Sequence, residues 1–385
     1  MRSPVRKERN DSFMKLLRVS ASNFKNCRDD FTIDMVAKSK KTAEDKEYEL
    51  QEIDSELYVY NTCGFVGKNA SGKTTAIELL DCCYSILGDF RLENKHYSFD
   101  NVKLDIFFYH DGYIYRYKTT LHNDSALSGK AVFSDQHIYR KKYFKTNVKK
   151  IYDEADFEKV QINGELPEDT SDIFFVLKKK RTYAVYFDSN GRGANTYADI
   201  FRIIKAYNVP TDIFLNLLMI FDENISSLEM IDDHNFAITY QNEKKRVSDD
   251  DLFWLLSSGT TKGLLLYIMM AVSLREGFDI IIDEIENHFH KTLVENMISL
   301  YKAKSVNKYA ATLIFTTHYC EILDLFSRQD NIWIAKSDGK ITLTNLYEGY
   351  NIRTELLKSR QFYNNAFQTA VNYEELMNLK RKLKA

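Results

Sequence analysis

The sequence predicts an α/β fold on a mixed sheet, with β-hairpin elements, a helical insertion and no long coiled coil. Three observations carry that prediction. Residues 57–66, LYVYNTCGFV, are β-rich and run into a glycine-rich loop, after which apolar residues recur at helical spacing. Residues 280–282 and 311–317 are short apolar runs that lead into polar residues, the pattern of parallel strands buried on both faces. Residues 102–121 alternate around Asp111 and Gly112, the pattern of a hairpin.

A chain of 385 residues suffices for one large domain with insertions or for two domains, with an ample core. Its 44% hydrophobic and 28% charged residues are a globular composition. With 53 Lys and Arg against 55 Asp and Glu, the formal net charge of -2 does not mark the whole chain as a nucleic-acid binder, although local basic runs can still form a patch. Cys27, Cys63, Cys82, Cys83 and Cys320 show no metal-ligand spacing, and adjacent cysteines suit no cross-linked secreted scaffold, so the expected location is the reducing cytoplasm. The longest apolar run near a helix, residues 263–274, is well short of the roughly 20 residues of a membrane span. Residues 1–13 are basic and polar with no apolar stretch, and are expected to form a disordered leader ahead of a fold that begins near Met14.

From Gly67 to Thr74 the loop reads GKNASGKT, which meets G-x-x-x-x-G-K-[ST] at every fixed position. A strand precedes it, and Ala76, Ile77, Leu80, Cys83, Tyr84 and Leu87 follow at helical spacing. Glycines let backbone N–H groups curl around a β-phosphate, and the helix N-terminus adds its positive dipole end. Lys73 neutralises the β- and γ-oxygens, and the Thr74 hydroxyl can ligand Mg²⁺. A chance glycine turn before a helix would not account for both flanking elements.

Residues 177–187, LKKKRTYAVYF, set Lys178, Lys179, Lys180 and Arg181 beside aromatics; phosphate contact and a solvated edge are both open readings. Residues 194–221 read as two helices split near Pro210. In residues 255–274, Ser257, Ser258, Gly259 and Thr260 stand immediately before an almost uninterrupted apolar helix, where small polar residues either cap the helix or receive an anion. FDIIIDEIEN, residues 278–287, ends an apolar strand in Asp283 and Glu284. Ligands of α/β sheets collect at such C-terminal ends. There Asp283 would hold Mg²⁺, directly or through water, and Glu284 would orient or deprotonate an attacking water; the competing reading is a solvated acidic turn. ATLIFTTHYC, residues 311–320, brings a second apolar strand to His318, which taken alone is a surface or capping residue. Residues 332–346 repeat the hairpin device, and the helical tail ends in LKRKLKA, whose basic residues complement the helix macrodipole.

In order, the chain reads phosphate loop, Ser-Ser-Gly-Thr helix, Asp-Glu strand and His strand, and that order resembles an ABC-type P-loop ATPase. LSSGTTKG, IIIDEIENHFHKTL and LIFTTH more narrowly resemble the AAA15/OLD-like branch, related to SMC, Rad50 and RecF, and SNFKN at 22–26 resembles the first strand of those proteins. The resemblance covers roughly residues 14–90 and 250–345. It implies an ATPase core at 14–95 and 250–350, a hairpin and helical insertion at 96–249 and a helical tail at 351–385, with ATP and Mg²⁺ as cofactors.

Carried across residue by residue, the resemblance assigns Gly67, Asn69, Ser71, Gly72, Lys73, Thr74 and Thr75 to the nucleotide. It assigns Thr74 and Asp283 to the metal, and Glu284 and His318 to catalysis, the histidine as a switch near the γ-phosphate. Ser257 and Gly259 match the signature that completes the ATP site of a second subunit, which implies at least an ATP-sandwiched dimer. Glu286, Asn287 and His290 match the segment after Walker B that touches the dimer interface. This chain has His288 and Lys291 where relatives usually have Gly and Pro, and no Q-loop glutamine can be placed, Gln161 lying only in the right interval.

The implied function is an oligomeric ATPase that acts as sensor or scaffold for a separately encoded effector, resembling the ATPase subunits of bacterial anti-phage systems such as PARIS and AbiL. The alternative is a RecF-like, ATP-gated DNA-repair ATPase, with nucleic acid as partner. A transporter's cytoplasmic ATPase is disfavoured by the hairpin-rich middle, and a binding-only module by Glu284.

Overall fold

The computed structural model describes residues 13–39, 41, 49–125, 129–188, 196–232, 234–255, 258–287, 289–351, 356–364, 367 and 373–383. β1 (Met14–Ser22) and β2 (Phe31–Asp34) precede a ribbon of β3 (Leu50–Asp54) and β4 (Leu57–Tyr60). β5 (Thr62–Val66), buried at every residue, runs into the glycine loop and α1 (Lys73–Asp89). Three long strands follow, β6 (Val102–His110), β7 (Tyr113–Asn123) and β8 (Ala131–Lys142), then the short β9 (Glu158–Lys159), α2 (Phe174–Leu177) and β10 (Ala184–Phe187). Helices α3 (Thr196–Ala206) and α4 (Thr211–Phe221) break at Pro210, as its locked φ and missing N–H require, and lead to the meander β11 (Ile225–Met230), β12 (Asn235–Tyr240) and β13 (Glu243–Ser248). The second half of the core comprises α5 (Asp249–Leu255), α6 (Ser258–Glu276), β14 (Asp279–Ile282), α7 (Lys291–Lys302), β15 (Leu313–Thr317), β16 (Ile332–Asp338) and β17 (Lys340–Asn345). Short helices α8 (Leu346–Gly349), α9 (Lys358–Tyr363) and α10 (Tyr373–Lys382) follow.

One sheet has the order β10-β14-β15-β5-β16-β17, parallel except for the hairpin strand β17. The other, β2-β1-β6-β7-β8-β9, is antiparallel throughout. Residues 96–249 therefore join the rest by strand pairing: β6 lies beside β1, and β10 beside β14. Helix α1 is wedged between the sheets, its Ile77, Leu80 and Leu87 sharing one core with Val19, Ile106 and Phe108 on one side and Phe65, Ile281 and Ile314 on the other. The opposite face of the parallel sheet, with Ile280, Ile282 and Phe315, packs on Leu264 and Ile268 of α6 and Val294 and Met297 of α7.

Asp111 and Gly112 both take positive φ, 47° and 84°, as the tight hairpin demands. Two local expectations change. SNFKN is the exit of the first strand, since β1 ends at Ser22 and Asn23 and Lys25 turn the chain with φ of 59° and 48°. The apolar helix starts at Ser258, which puts Gly259 and Thr260 inside its first turn; Ser257, His288 and residues 1–12 lie outside the described residues. Among the described residues the longest helix is α6 with 19 residues, so no coiled-coil arm leaves the core, and no helix is long and apolar enough to cross a membrane. All five cysteines are buried and free.

At the start of β14 a buried polar cluster joins the two sheets. Lys15 Nζ of β1 donates to Asp279 Oδ1 at 2.6 Å, to Thr312 Oγ1 at 2.7 Å and to Ala310 O at 2.9 Å, and Tyr84 of α1 donates to Asp279 Oδ2 at 2.6 Å. Burial pushes the Lys15 ammonium below its ordinary value while Asp279 pulls it back. Removing one partner of such a pair leaves the other charge uncompensated. Lys15→Met is expected to lower the unfolding free energy by about 3–5 kcal/mol, read as a lower urea midpoint at unchanged m-value.

Candidate active site

The loop between β5 and α1 is shaped by what cannot fit there. A Cβ on Gly67 would lie 2.4 Å from Ser71 Oγ and 2.5 Å from Ala335 O of β16, so the chain passes this gap only as glycine. Ala70 and Gly72 turn through left-handed conformations, φ 59° and 97°. Gly72 is the N-cap of α1 with no side chain capping it, and a Cβ there would meet Ile341 of β17 at 2.3 Å. The first N–H groups of α1, which have no carbonyl of their own helix to bind, are thus left to the cleft in front of them. Ser71 Oγ is buried without a hydrogen-bond partner among the described residues.

Lys73 arches back over its own loop. Its Nζ donates to Gly67 O at 3.1 Å and Lys68 O at 3.2 Å, and faces His318 Nδ1 at 3.4 Å. Burial lowers the proton affinity of the ammonium, and the carboxylates of Glu284, Glu286 and Asp283 raise it again. An ammonium only donates, so Nδ1 of His318 is the acceptor and the ring proton sits on Nε2, which points at Glu284 Oε1, 3.3 Å away.

Asp283 follows β14 and is buried. Thr74 Oγ1 donates to its Oδ2 at 2.9 Å and Thr316 Oγ1, from the neighbouring β15, to its Oδ1 at 2.6 Å. The same Thr316 oxygen accepts the Glu284 N–H at 2.7 Å, so one hydroxyl positions both carboxylate residues. Burial holds the Asp283 carboxyl above the usual range, and the two hydroxyls pull it down only in part. A hydroxyl and a carboxylate side by side are the hard oxygen donors that Mg²⁺ takes, and the set fits that ion.

Glu284 has φ 49°, a left-handed conformation that costs a side-chain-bearing residue roughly 1–2 kcal/mol. That turn aims its carboxylate into the cleft, where Oε2 accepts from Asn287 Nδ2 at 2.6 Å. Glu286 sits one 3₁₀ turn on, and one of its oxygens accepts the backbone N–H of His318. The cleft, of about 670 Å³, is lined by the loop residues Asn69 to Thr75 and by Glu284, Glu286, Asn287, His318, Tyr319 and Ile341. That volume is within the usual range for small-molecule sites.

The structure thus brings Asn69, Ser71, Gly72, Lys73, Thr74, Thr75, Glu284 and His318 onto one cleft, with Gly67 beneath the loop and Asp283 behind Thr74. Gly259 is in the first turn of α6, whose apolar residues pack on the face of the sheet opposite α1. Asn287 reaches Glu284, while His290 caps α7 by accepting from Thr292 N. Gln161 is on an exposed loop after β9. Sequence reasoning missed Thr316, Tyr319 and Ile341. A hydroxyl inside the apolar run LIFTTH was the available signal for Thr316; the other two carry none.

A family model described as AAA domain, putative AbiEii toxin, Type IV TA system matches residues 64–324 of the chain. Among solved structures, the SMC head domain from Thermotoga maritima aligns over 86% of this chain and 98% of its own, at 13% identity and a TM-score of 0.39. The SMC head bound to the C-winged helix domain of ScpA aligns over 86% and 97%, at 12% identity and a TM-score of 0.41. No curated protein matches the sequence.

The raised Asp283 carboxyl has a measurable consequence. Its folded value lies above the unfolded one, so the folded state binds this proton more tightly, and ionised Asp283 costs stability at every pH above the folded value. The cost shrinks as pH falls through the folded value and is gone below the unfolded value of about 3.9. Asp283→Asn is therefore expected to show a higher urea midpoint than wild type at pH 7, with the gain shrinking toward pH 4.

Proposed function

We infer the function of this chain from the family to which it belongs, the AAA domains described as putative AbiEii toxins of type IV toxin–antitoxin systems, and from the groups that meet in its cleft. It is a Mg²⁺-dependent ATPase that binds ATP on the Gly67–Thr75 loop and hydrolyses it to ADP and phosphate. The observation that carries this reading is the convergence of Lys73, Thr74, Asp283, Glu284 and His318, from distant parts of the chain, at one edge of the parallel sheet.

Each group has a task its chemistry suits. The N–H groups of the loop and the Lys73 ammonium bind the phosphates. Thr74 and Asp283 are the residues that would hold Mg²⁺, which when bound neutralises charge on the β- and γ-phosphates. Glu284 orients the attacking water and accepts its proton. His318, held between Lys73 and Glu284, would contact the γ-phosphate.

A signature at Ser257 and Gly259 that serves a second copy makes the working form a homo-oligomer, at least an ATP-sandwiched dimer. A γ-phosphate that touches both copies favours the closed form by its differential affinity, and hydrolysis releases it. A family described by a toxin and its antitoxin supports work alongside a separately encoded protein. We take that partner to be an effector for which this ATPase is sensor or scaffold, in an anti-phage role like that of the PARIS and AbiL subunits its motifs resemble. The exposed Lys178, Lys179 and Lys180 favour a second reading, an ATP-gated DNA clamp.

Glu284→Gln is expected to keep ATP affinity, slow turnover by about 10²-fold or more and accumulate the ATP-bound oligomer. Lys73→Ala is expected to weaken ATP binding itself. Light-scattering mass of wild type and Glu284→Gln, with and without Mg-ATP and co-expressed with the genomic neighbour, tests the rest. Unchanged turnover in Glu284→Gln removes that residue from catalysis, and a mass indifferent to ATP removes the sandwich. Oligomers that ignore the neighbour but capture DNA in a salt-sensitive way move the function to the clamp.

A further inference from the structure

The Glu284 side chain is 30% exposed, so packing alone does not hold its carboxylate in one orientation. Thr316 fixes the residue at its backbone N–H and leaves the side-chain torsions unset. Among the described residues two donors reach the carboxylate itself. Asn287 Nδ2 donates to Oε2 at 2.6 Å, and His318 Nε2 faces Oε1 at 3.3 Å. The first contact is short and local. Asn287 N also donates to Glu284 O at 2.8 Å, so the 3₁₀ turn that follows Glu284 carries the amide back to its side chain.

The two donors are not equivalent once a nucleotide is bound. On the ATPase reading above, the His318 ring contacts the γ-phosphate, and a ring N–H given to phosphate is withdrawn from Oε1. The backbone N–H of His318 does not replace it, being bound by Glu286. Thr74 is bound to Asp283, and Asn69, Ser71, Lys73, Thr75 and Tyr319, the other side-chain donors lining the cleft, make no hydrogen bond to Glu284 among the described residues. Asn287 is then the donor left on the carboxylate, and it holds Oε2. We propose that Asn287 is a positioning residue for hydrolysis, which ties Oε2 of Glu284 to the turn and leaves Oε1, on the His318 side, as the oxygen that takes the proton of the attacking water.

The asymmetry assigns one task to each oxygen. As the oxygen of the water bonds to the γ-phosphorus, one proton passes to Oε1, the bond from phosphorus to the bridging oxygen breaks, and the electron pair leaves with ADP. The amide on Oε2 stays neutral and keeps its hydrogen throughout. A general base must lie within hydrogen-bond reach of the proton it takes, and a carboxylate that turned freely would spend part of its time out of line. The Lys73 ammonium adds to that tendency, since among the three nearby carboxylates Glu284 acts on it most strongly and is drawn toward it in return.

Asn287→Ala removes the amide and leaves the backbone of the turn, and Asn287→Asp keeps the size of the side chain while setting a like charge against Oε2. The expected result for Asn287→Ala is ATP affinity and melting temperature as in wild type, KM unchanged and kcat lower by about 10-fold or more. Asn287→Asp is expected to fall further, because the two carboxylates repel. In the Glu284→Gln background Asn287→Ala is expected to cost no further turnover, since a residue that acts through the Glu284 carboxylate then has nothing to position. Wild-type turnover in Asn287→Ala overturns the proposal, and so do losses that multiply in the double variant. Asn287 also lies in the segment matched to a dimer interface. If Asn287→Ala loses the ATP-driven rise in light-scattering mass together with turnover, the residue acts through assembly and the proposal is overturned as well. A Glu284→Gln protein that hydrolyses ATP like wild type overturns the ATPase reading at its base, and the proposal falls with it.

Discussion

The hydrogen bond from Thr74 to Asp283 closes the molecule across 209 residues of sequence. It is available only because β5, β15 and β14 lie side by side and parallel, so that the loop after β5 and the carboxylate after β14 emerge at the same edge. Thr316, on the strand between, ties Asp283 and Glu284 to that edge from the middle. A slip of one residue in the pairing of β14 would send Asp283 to the opposite face of the sheet and Ile282 toward Thr74. The register of three buried strands is therefore as much a part of the site as any side chain in it.

Strand β14 carries an aspartate at its first position and another just past its last, and both face α1. Their surroundings differ in kind. Asp279 has a lysine as fixed counter-charge, with Tyr84 and the Thr312 N–H completing its shell, so it is settled within the protein. Asp283 accepts from two hydroxyls and feels the Lys73 ammonium through space. The first arrangement binds two sheets and a helix together, and the second holds a carboxylate beside Thr74 at the edge of the cleft. Chemistry at one end of the strand is referenced to a rigid cluster at the other.

How much of this was legible depends on whether the physics was local. The glycine-rich loop is contiguous and shaped by its own backbone, so Gly67 to Thr74 announce it directly. Asp111 with Gly112 announces a turn, because few residue pairs tolerate two positive φ angles. The apolar runs that become β14 and β15 announce burial on both faces. Which strands pair is another matter: alternation at 102–121 marks two strands without revealing that the first lies against β1. Thr316 was hidden for the same reason, since its importance rests on a neighbour 33 residues away. Glu286 was visible only as a match to an interface segment; its contact with the His318 turn depends on how two loops fold over one another.

The left-handed backbone of Glu284 is kept against its own strain. A glycine or asparagine would adopt the same turn more easily, yet neither offers a carboxylate. Oε2 takes the Asn287 amide and Oε1 faces the His318 ring, so a residue that relaxed the turn would strip two neighbours of a partner. Backbone ease and side-chain contact pull on position 284 in opposite directions, and the strained turn persists as the balance between them.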